Sequence, residues 1–345
     1  MKRPTIADIA RQAGVSKVAV SYALNGQPGV SDRTRASIRR IAAELGWRPS
    51  SAARALTGSR AGVVGLAMCR PAGFPGVEPF FMELISGIEA VLAERDNALM
   101  LQIVPDHERE TEVYHRWWGE GRVDGVIVLD PHHEDPRIPV LEGLRLPAVV
   151  VGHPSAAGGL TAVWSDDSVG VREAVRHLAG AGHRRLARVA GPTRLTHTAL
   201  RDGALRETCA ELGLPAPRIT HTDHTGEGGA DATRALLTAP DRPTAIVFDN
   251  DIMAVACLSV AAELGLSIPA DLSVIAWDDS PLTRVVRPAL TALGRDIAAY
   301  GGRAATALLT VIEEGRPAGE PGVGVEEPPA RLIPRGSTGP PPGGV

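Results

Sequence analysis

Apolar positions recur at helical spacing through the first sixty residues, and from residue 62 onward they gather into short continuous runs. Ile6, Ile9, Ala10 and Ala13 give a first helix one apolar face. Gly14 breaks the pattern, Val15 returns to the interior, and Ser16 is a good N-cap for a second helix. The inward stripe of that helix is Val20, Ala23 and Leu24; its outer side carries Val18 and Tyr22, flanked by Lys17 and Ser21. A third helix follows, with Ser31 as cap, Asp32 at its positive end, and Ile38, Ile41, Ala42 and Leu45 as its stripe before Gly46. Two short helices around a tight turn form a helix-turn-helix, whose second helix offers its outer face to the major groove.

After Trp47 and Pro49, the stretch Ser50–Thr57 favours helix through Ala52, Ala53, Ala55 and Leu56. A helix of about seven residues does not hold by itself in water, so its order is expected to depend on a partner. Beyond it the pattern changes to strand–helix units. Val63–Cys69, Leu99–Val104, Val126–Leu129 and Ala148–Val151 read as buried parallel strands, with helices such as Phe81–Glu94 and Glu108–Glu120 between them. A second series comprises Leu186–Ala190, Ile219–Thr222, Ala245–Phe248 and Val274–Trp277. The fold class this predicts is an all-α helix-turn-helix headpiece (1–49), a hinge helix or linker (50–60), and a two-lobed α/β core (61–338) of two doubly wound parallel sheets. The lobes are expected at about 61–160 plus 291–320 and about 161–290 plus 321–338, with the Pro- and Gly-rich tail 339–345 disordered.

Charge sharpens the reading of the headpiece. Residues 1–60 hold eleven Lys and Arg against Asp8, Asp32 and Glu44, a net of +8; the chain as a whole is -4, so the remainder carries −12. A small basic head on an acidic body is what phosphate attraction requires, and a solvated helical surface does not explain the asymmetry. No apolar run approaches the ~20 residues of a bilayer span. Met1-Lys2-Arg3 leads straight into an amphipathic helix, so no signal peptide is visible and a cytoplasmic, membrane-free protein is expected. Cys69, Cys209 and Cys257 are far apart in apolar surroundings and read as buried thiols. The ten histidines include His132-His133 in a Pro-flanked loop and His221-x-x-His224, which ends a strand and is read as without acidic partners; solvated or structural roles suit both, and no metal or cofactor is expected.

Thr5-Ile-Ala-Asp-Ile-Ala10, Gly14-Val-Ser16, Val20-Ser-Tyr-Ala-Leu-Asn25 and Val30-Ser-Asp-Arg-Thr-Arg35, in this order, resemble the LacI/GalR family of bacterial transcription regulators. Leu45-Gly-Trp-Arg-Pro49, Glu78-Pro-Phe-Phe81, Val123-Asp-Gly125, Gly182-His-Arg-Arg185, Asn250-Asp251, Trp277-Asp-Asp279 and Arg335-Gly-Ser-Thr338 extend the resemblance over about residues 4–338. It implies a homodimer in which each headpiece reads half of a near-palindromic operator on double-stranded DNA. It also implies a core like that of periplasmic sugar-binding proteins, with a small effector between its lobes. The DNA-contacting candidates are then Thr5, Ser16, Lys17, Val18, Ser21, Tyr22, Asn25 and Arg33, with Ala53 and Leu56 on the hinge helix. Leu56 stands where the family inserts a leucine into the minor groove, an apolar wedge that kinks DNA; packing of Leu56 on the core stays open. Many relatives carry Arg or His in place of Tyr22 and a polar pair in place of Lys17-Val18, so this operator should differ from theirs. Lys17 suits guanine, Val18 a thymine methyl, and Tyr22 a base edge or phosphate.

Trp277-Asp-Asp279 follows an apolar run at a strand's carboxyl end, where open α/β sheets bind ligands. Asp278 is the candidate acceptor for an effector, with Asn250 in the same lobe and Phe80 or Phe81 as an aromatic platform from the other. An Asx cap for Asp278 and core packing for the phenylalanines remain open. Arg201 is carried over from the resemblance although it lies two residues before Gly203 where the family has three. The function expected is a sequence-specific repressor governed by a small molecule, a sugar in the first instance. The alternatives are a purine- or other metabolite-responsive regulator, and a non-regulatory sugar-binding protein. An enzyme on the α/β scaffold is disfavoured: no GxSxG, GxxxxGK[ST] or strand-borne GxGxxG is present.

Overall fold

The computed structural model describes residues 4–47, 60–70, 78–315 and 322–343, and the chain divides into two compact units, Met1–Ala61 and Gly62–Val345. In the first unit α1 (Ile6–Ala13), α2 (Lys17–Leu24) and α3 (Asp32–Glu44) surround a small core of Ile9, Val20, Ala23 and Ile38. Thr5 and Asp8 close a capping box at the start of α1. Gly14 ends the helix at φ 67°, a left-handed position that costs glycine nothing, and Ser16 Oγ accepts from the Ala19 amide to start α2. The 50–57 segment, with Ala53 and Leu56, lies outside the described residues.

The second unit holds two six-stranded sheets. The first joins β1 (Val63–Cys69), β2 (Ala98–Val104), β3 (Gly125–Leu129), β4 (Ala148–Val151), β5 (Thr161–Ser165) and β11 (Gly324–Glu327) in the order β11-β5-β4-β3-β1-β2. Its helices are α4 (Pro79–Glu94), α5 (His107–Gly119), α6 (Arg137–Leu144) and α12 (Ile297–Glu314). The second sheet is β12-β10-β9-β8-β6-β7, from β6 (Leu186–Ala190), β7 (Arg218–His221), β8 (Ala245–Phe248), β9 (Ser273–Trp277), β10 (Thr291–Gly294) and β12 (Arg331–Ile333). It carries α7 (Asp167–Gly180), α8 (Thr196–Glu211), α9 (Gly226–Leu237), α10 (Asp251–Glu263) and α11 (Pro281–Val285). Every pairing is parallel except β10 with β12. In each sheet the strand order reverses beside its first strand, between β1 and β3 and between β6 and β8, which opens a crevice at the carboxyl ends. Apolar clusters fill both faces of each sheet. Gly87 lets α4 approach α12: a Cβ there would lie 1.8 Å from the Ala298 carbonyl oxygen.

The lobe boundaries expected from sequence need correction. Thr161–Ser165 extends the first sheet by pairing with β4, so the first crossing to the second lobe comes after Ser165. Thr291–Gly294 belongs to the second sheet, paired with β9, and Gly324–Glu327 to the first, paired with β5. The tail is ordered beyond its expected start: the Gly339 amide donates to Ser273 Oγ at 3.0 Å, and its carbonyl lies 2.9 Å from His183 Nε2. Satisfying these buried side chains holds the chain at the foot of the second sheet. No helix among the described residues is long and apolar enough to cross a membrane.

Candidate DNA-reading face and effector cleft

On α2 the outward set is Lys17, Val18, Ser21 and Tyr22, with Val18 59% and Tyr22 40% exposed. These side chains stand outside the headpiece core, on the face that the second helix of a helix-turn-helix offers to the major groove. The remaining candidates divide by role. Ser16 and Thr5 spend their side chains on helix starts, Thr5 donating its hydroxyl to Asp8 at 2.7 Å. Ser21 accepts a long 3.4 Å contact from Asn25 Nδ2. Arg33 is exposed on the first turn of α3. Arg35, not singled out in the sequence, donates to the carbonyls of Tyr22, Ala23 and Gln27 at 3.3, 3.2 and 2.8 Å. It satisfies the carboxyl end of α2 and so fixes how that helix is presented.

The cleft lies between the two lobes of the core and is built by residues that follow the carboxyl ends of the strands. Arg70 comes after β1, Asp130 after β3, Asp249 after β8 and Asp278 after β9. Arg70 and Asp130 form a salt bridge, and the Arg70 guanidinium lies 4.7 Å from the centre of the Phe81 ring. Burial would raise the Asp130 carboxyl, but Arg70 and then His197 hold it far below the usual carboxylate range. Phe80 and Phe81 meet edge to face at 5.4 Å; both line the cleft while Phe81 is also buried in the first lobe's core. Phe81 therefore packs in the core while bordering the cleft.

Arg201 does reach the cleft. Its guanidinium pairs with Asp167 at 2.7 Å and Asp249 at 2.6 Å, and lies 3.6 Å from the Trp277 ring centre. Asp249 is also paired with Arg188 at 2.7 Å, and against its burial these arginines hold it well below the carboxylate range. Asn250 is a correction: it does not line the cleft. Its Oδ1 caps α10 by accepting from the Met253 amide and its Nδ2 donates to the His224 carbonyl, so both ends of the amide are used. Asp278 behaves differently. The Asx cap is excluded for it, since α11 is capped by Ser280 accepting from Leu282 N. Asp278 adopts a left-handed φ of 66°, and its buried Oδ1 has no hydrogen-bond partner among the described residues. Glu78 Oε2 and Arg295 Nε, lining the same cleft, are likewise unpartnered. Burial pushes both Asp278 and Glu78 up to about 7, although Arg295 and Arg201 oppose the rise at Asp278. Buried polar atoms without partners are rare, and here three belong to residues that line one cleft.

His197, His224 and Asp249 bring ring nitrogens and a carboxylate within 4.8 Å of one another. Asp249 already neutralises Arg188 and Arg201, so a cation there would face two fixed positive charges; the group fits an ion-pair network better than a metal site. Burial, and then Arg201, lowers His197 to about 4, so its ring is neutral near pH 7. The expectation that His221-x-x-His224 has no acidic partners is corrected here: His221 lies 2.9 Å from Asp202 and His224 3.6 Å from Asp249, carboxylates distant in sequence.

Comparison with known proteins agrees with both units. Residues 5–50 match the family model of bacterial regulatory proteins, lacI family, and residues 175–338 match a periplasmic binding protein-like domain. The HTH-type transcriptional regulator CelR of Thermobifida fusca is 30% identical over 301 residues, 85% of this chain and 87% of CelR. The HTH-type transcriptional repressor PurR of Proteus mirabilis is 31% identical, covering 83% of this chain and 84% of PurR. A solved CelR–cellobiose complex superposes with a TM-score of 0.74 at 28% identity, covering 97% of this chain and 100% of that one. With the helix-turn-helix, the two-lobed core and relatives matched along most of its length, this chain belongs to the LacI family: it is a DNA-binding transcriptional regulator with an effector-binding core, and not an enzyme.

Proposed function

We propose that the protein is an operator-binding repressor, acting as a homodimer, whose operator affinity is controlled by a saccharide held between the lobes of its core. The observation that carries this is the set of unpartnered buried groups in the cleft, Asp278 Oδ1, Glu78 Oε2 and Arg295 Nε, beside the Phe80–Phe81 platform. Carboxylates accept from hydroxyls and an arginine N–H donates to them, while the partly exposed Phe80 ring, backed by Phe81, suits the apolar side of a pyranose. The cellobiose in the related CelR structure and the repressor PurR among the relatives support the same reading.

Self-association is supported by an apolar surface on one edge of the first lobe. Leu101 and Ile103 are exposed on the edge strand β2, and Met82 is exposed on α4, which packs on it. An uncovered edge strand with large apolar side chains is a surface that proteins normally cover. The reading is tested by screening sugars and nucleobases by thermal shift, wild type beside Asp278→Asn, and then measuring operator binding with the hits. Stabilisation by a sugar, lost in the variant and accompanied by release of DNA, is expected. Stabilisation by a nucleobase alone would replace the saccharide with a purine, and tighter DNA binding with the hit would make it a corepressor.

A further inference from the structure

Beside the cleft lies a second cavity, the outer room, that none of the expected effector residues, Phe81 apart, lines. Arg70, Phe81, Leu129, Asp130 and His224 line both spaces, so the Arg70–Asp130 salt bridge stands between two rooms of one site. The outer room is the larger, about 360 Å³ against about 90 Å³ for the inner. Allowing ~10–15 Å³ per water centre, the inner room corresponds to roughly six to nine waters, the space of a single sugar ring. The neighbouring outer room offers the space for a second ring.

The chemistry of the outer room is that of a neutral polar ligand. Its cations are mostly spent: Arg70 on Asp130, and Arg137 on Glu110 at 2.9 Å and Asp135 at 2.6 Å. Its remaining carboxylate, Asp223, accepts from the Thr225 amide and hydroxyl at 3.0 and 2.7 Å. Two groups stay available. Among the described residues the Arg194 guanidinium has no carboxylate partner, and no hydrogen bond reaches the imidazole of His132, which stands edge to face with His107 at 4.3 Å. Met68, Leu129 and Pro192 give the room apolar faces. A poly-anionic ligand would find little unpaired charge here, whereas a ring with an apolar face and hydroxyl rim meets both kinds of surface. His132 and Leu195, which line the room from opposite lobes, also pair through their backbones, so a ligand here touches both halves of the closed cleft.

We propose that the effector is a saccharide of two or more rings, its first ring at Asp278 and Phe80 and its second in the outer cavity between Arg194 and His132. This rests on the saccharide reading of the inner site, and the test separates the two. Calorimetry on the full-length protein would compare glucose, galactose, mannose, xylose and arabinose with disaccharides built from them. At least one disaccharide is expected to bind about tenfold or more tighter than either component ring, a gain of one or two hydrogen bonds with their burial. Arg194 is exposed, so Arg194→Ala and Arg194→Trp leave the fold alone. The first should weaken that disaccharide about fivefold, the loss of one hydrogen bond, and the second, by filling the room, should bring it down to the monosaccharide level. Both should leave monosaccharide affinity within about twofold. Monosaccharides binding as tightly as every disaccharide, or Arg194→Trp weakening both alike or neither, would overturn the second subsite while leaving the first. Absence of binding by every sugar to the wild type would overturn the saccharide reading and this inference together.

Discussion

His132 of the first lobe and Leu195 of the second pair as an isolated antiparallel bridge across the cleft. Two backbone hydrogen bonds make it: the His133 amide donates to the Arg194 carbonyl at 3.2 Å, and the Thr196 amide donates to the Pro131 carbonyl at 3.0 Å. Opening the lobes must break both, so the bridge weights the balance between open and closed cores to which an effector couples.

That weight can be changed by one substitution. Thr196 is the first residue of α8, where proline's missing N–H and fixed φ are tolerated, and Leu195 before it is extended at φ −77°, ψ 131°. The Thr196 hydroxyl is buried without a partner among the described residues, so its loss removes no hydrogen bond. Thr196→Pro should therefore cost the closed form about 0.5–1.5 kcal/mol, and effector affinity should fall about two- to tenfold. Hydrogen exchange at the His133 amide should accelerate with it. Unchanged exchange at that amide would show that the bridge does not hold the lobes.

Effector binding should depend on pH through Asp278 and Glu78. Burial raises both carboxyls to about 7; around Asp278, Arg295 and Arg201 work against the rise while Asp251 and Glu78 add to it. A carboxyl whose folded value lies above its unfolded one stabilises the free protein below its unfolded value and loses that contribution as pH rises to about 7. A ligand donating hydroxyls favours the ionised form, so its affinity should rise from about pH 6 and level off above about 7, with protons released on binding. Asp278→Asn should weaken binding and leave only the smaller dependence due to Glu78. Calorimetry in buffers of different ionisation enthalpy reads the protons directly, and uptake instead of release would refute the assignment.

The regular parts of this fold were legible because continuous apolar runs announce buried parallel strands. Val63–Cys69, Ala148–Val151, Leu186–Ala190 and Ala245–Phe248 were found with their observed ends. Strands whose apolar run is broken by Thr, Ser or Gly were not: Thr161–Ser165 holds three consecutive apolar residues and Thr291–Gly294 two, and the edge strand Gly324–Glu327 is half exposed. Missing these misplaced the lobe boundaries. In the site, Asp278 was legible because it ends an apolar strand, but Asn250 looked the same in sequence and is a helix cap. Arg70, Asp130 and Asp249 were silent, being single charged residues after strands whose partners lie about 50–60 positions away. Glu78, although part of a quoted motif, carried no mark of its unpaired carboxyl oxygen.

On the DNA side, Lys17 is exposed at the first position of α2, next to Val18. If it donates to a guanine, Lys17→Ala should cost about 1–3 kcal/mol on the preferred operator and relax the preference at one base pair. Selection of sites from a random library, followed by binding across a salt series, measures both. An equal loss on all sequences, with the salt slope reduced by about one, would assign Lys17 to a phosphate instead.

The ion-pair network behind the cleft should be a stability element of the second lobe. Arg188, on β6 and only 1% exposed, pairs with both Asp202 and Asp249, and Asp249 in turn holds Arg201. Arg188→Met keeps the volume but leaves two buried carboxylates sharing less compensation. Asp249 retains Arg201, while among the described residues Asp202 keeps His221 at 2.9 Å and the exposed Arg206 at 3.7 Å. Breaking a buried pair from one side costs about 3–5 kcal/mol, whereas replacing both partners with apolar groups is often near neutral. Arg188→Met should therefore lower stability in urea by about that amount, and adding Asp202→Leu should recover part of it. A loss below about 1 kcal/mol would place Arg188 among ion pairs that contribute little. A double variant less stable than the single one would mean that Asp202 serves the fold through His221 rather than through Arg188.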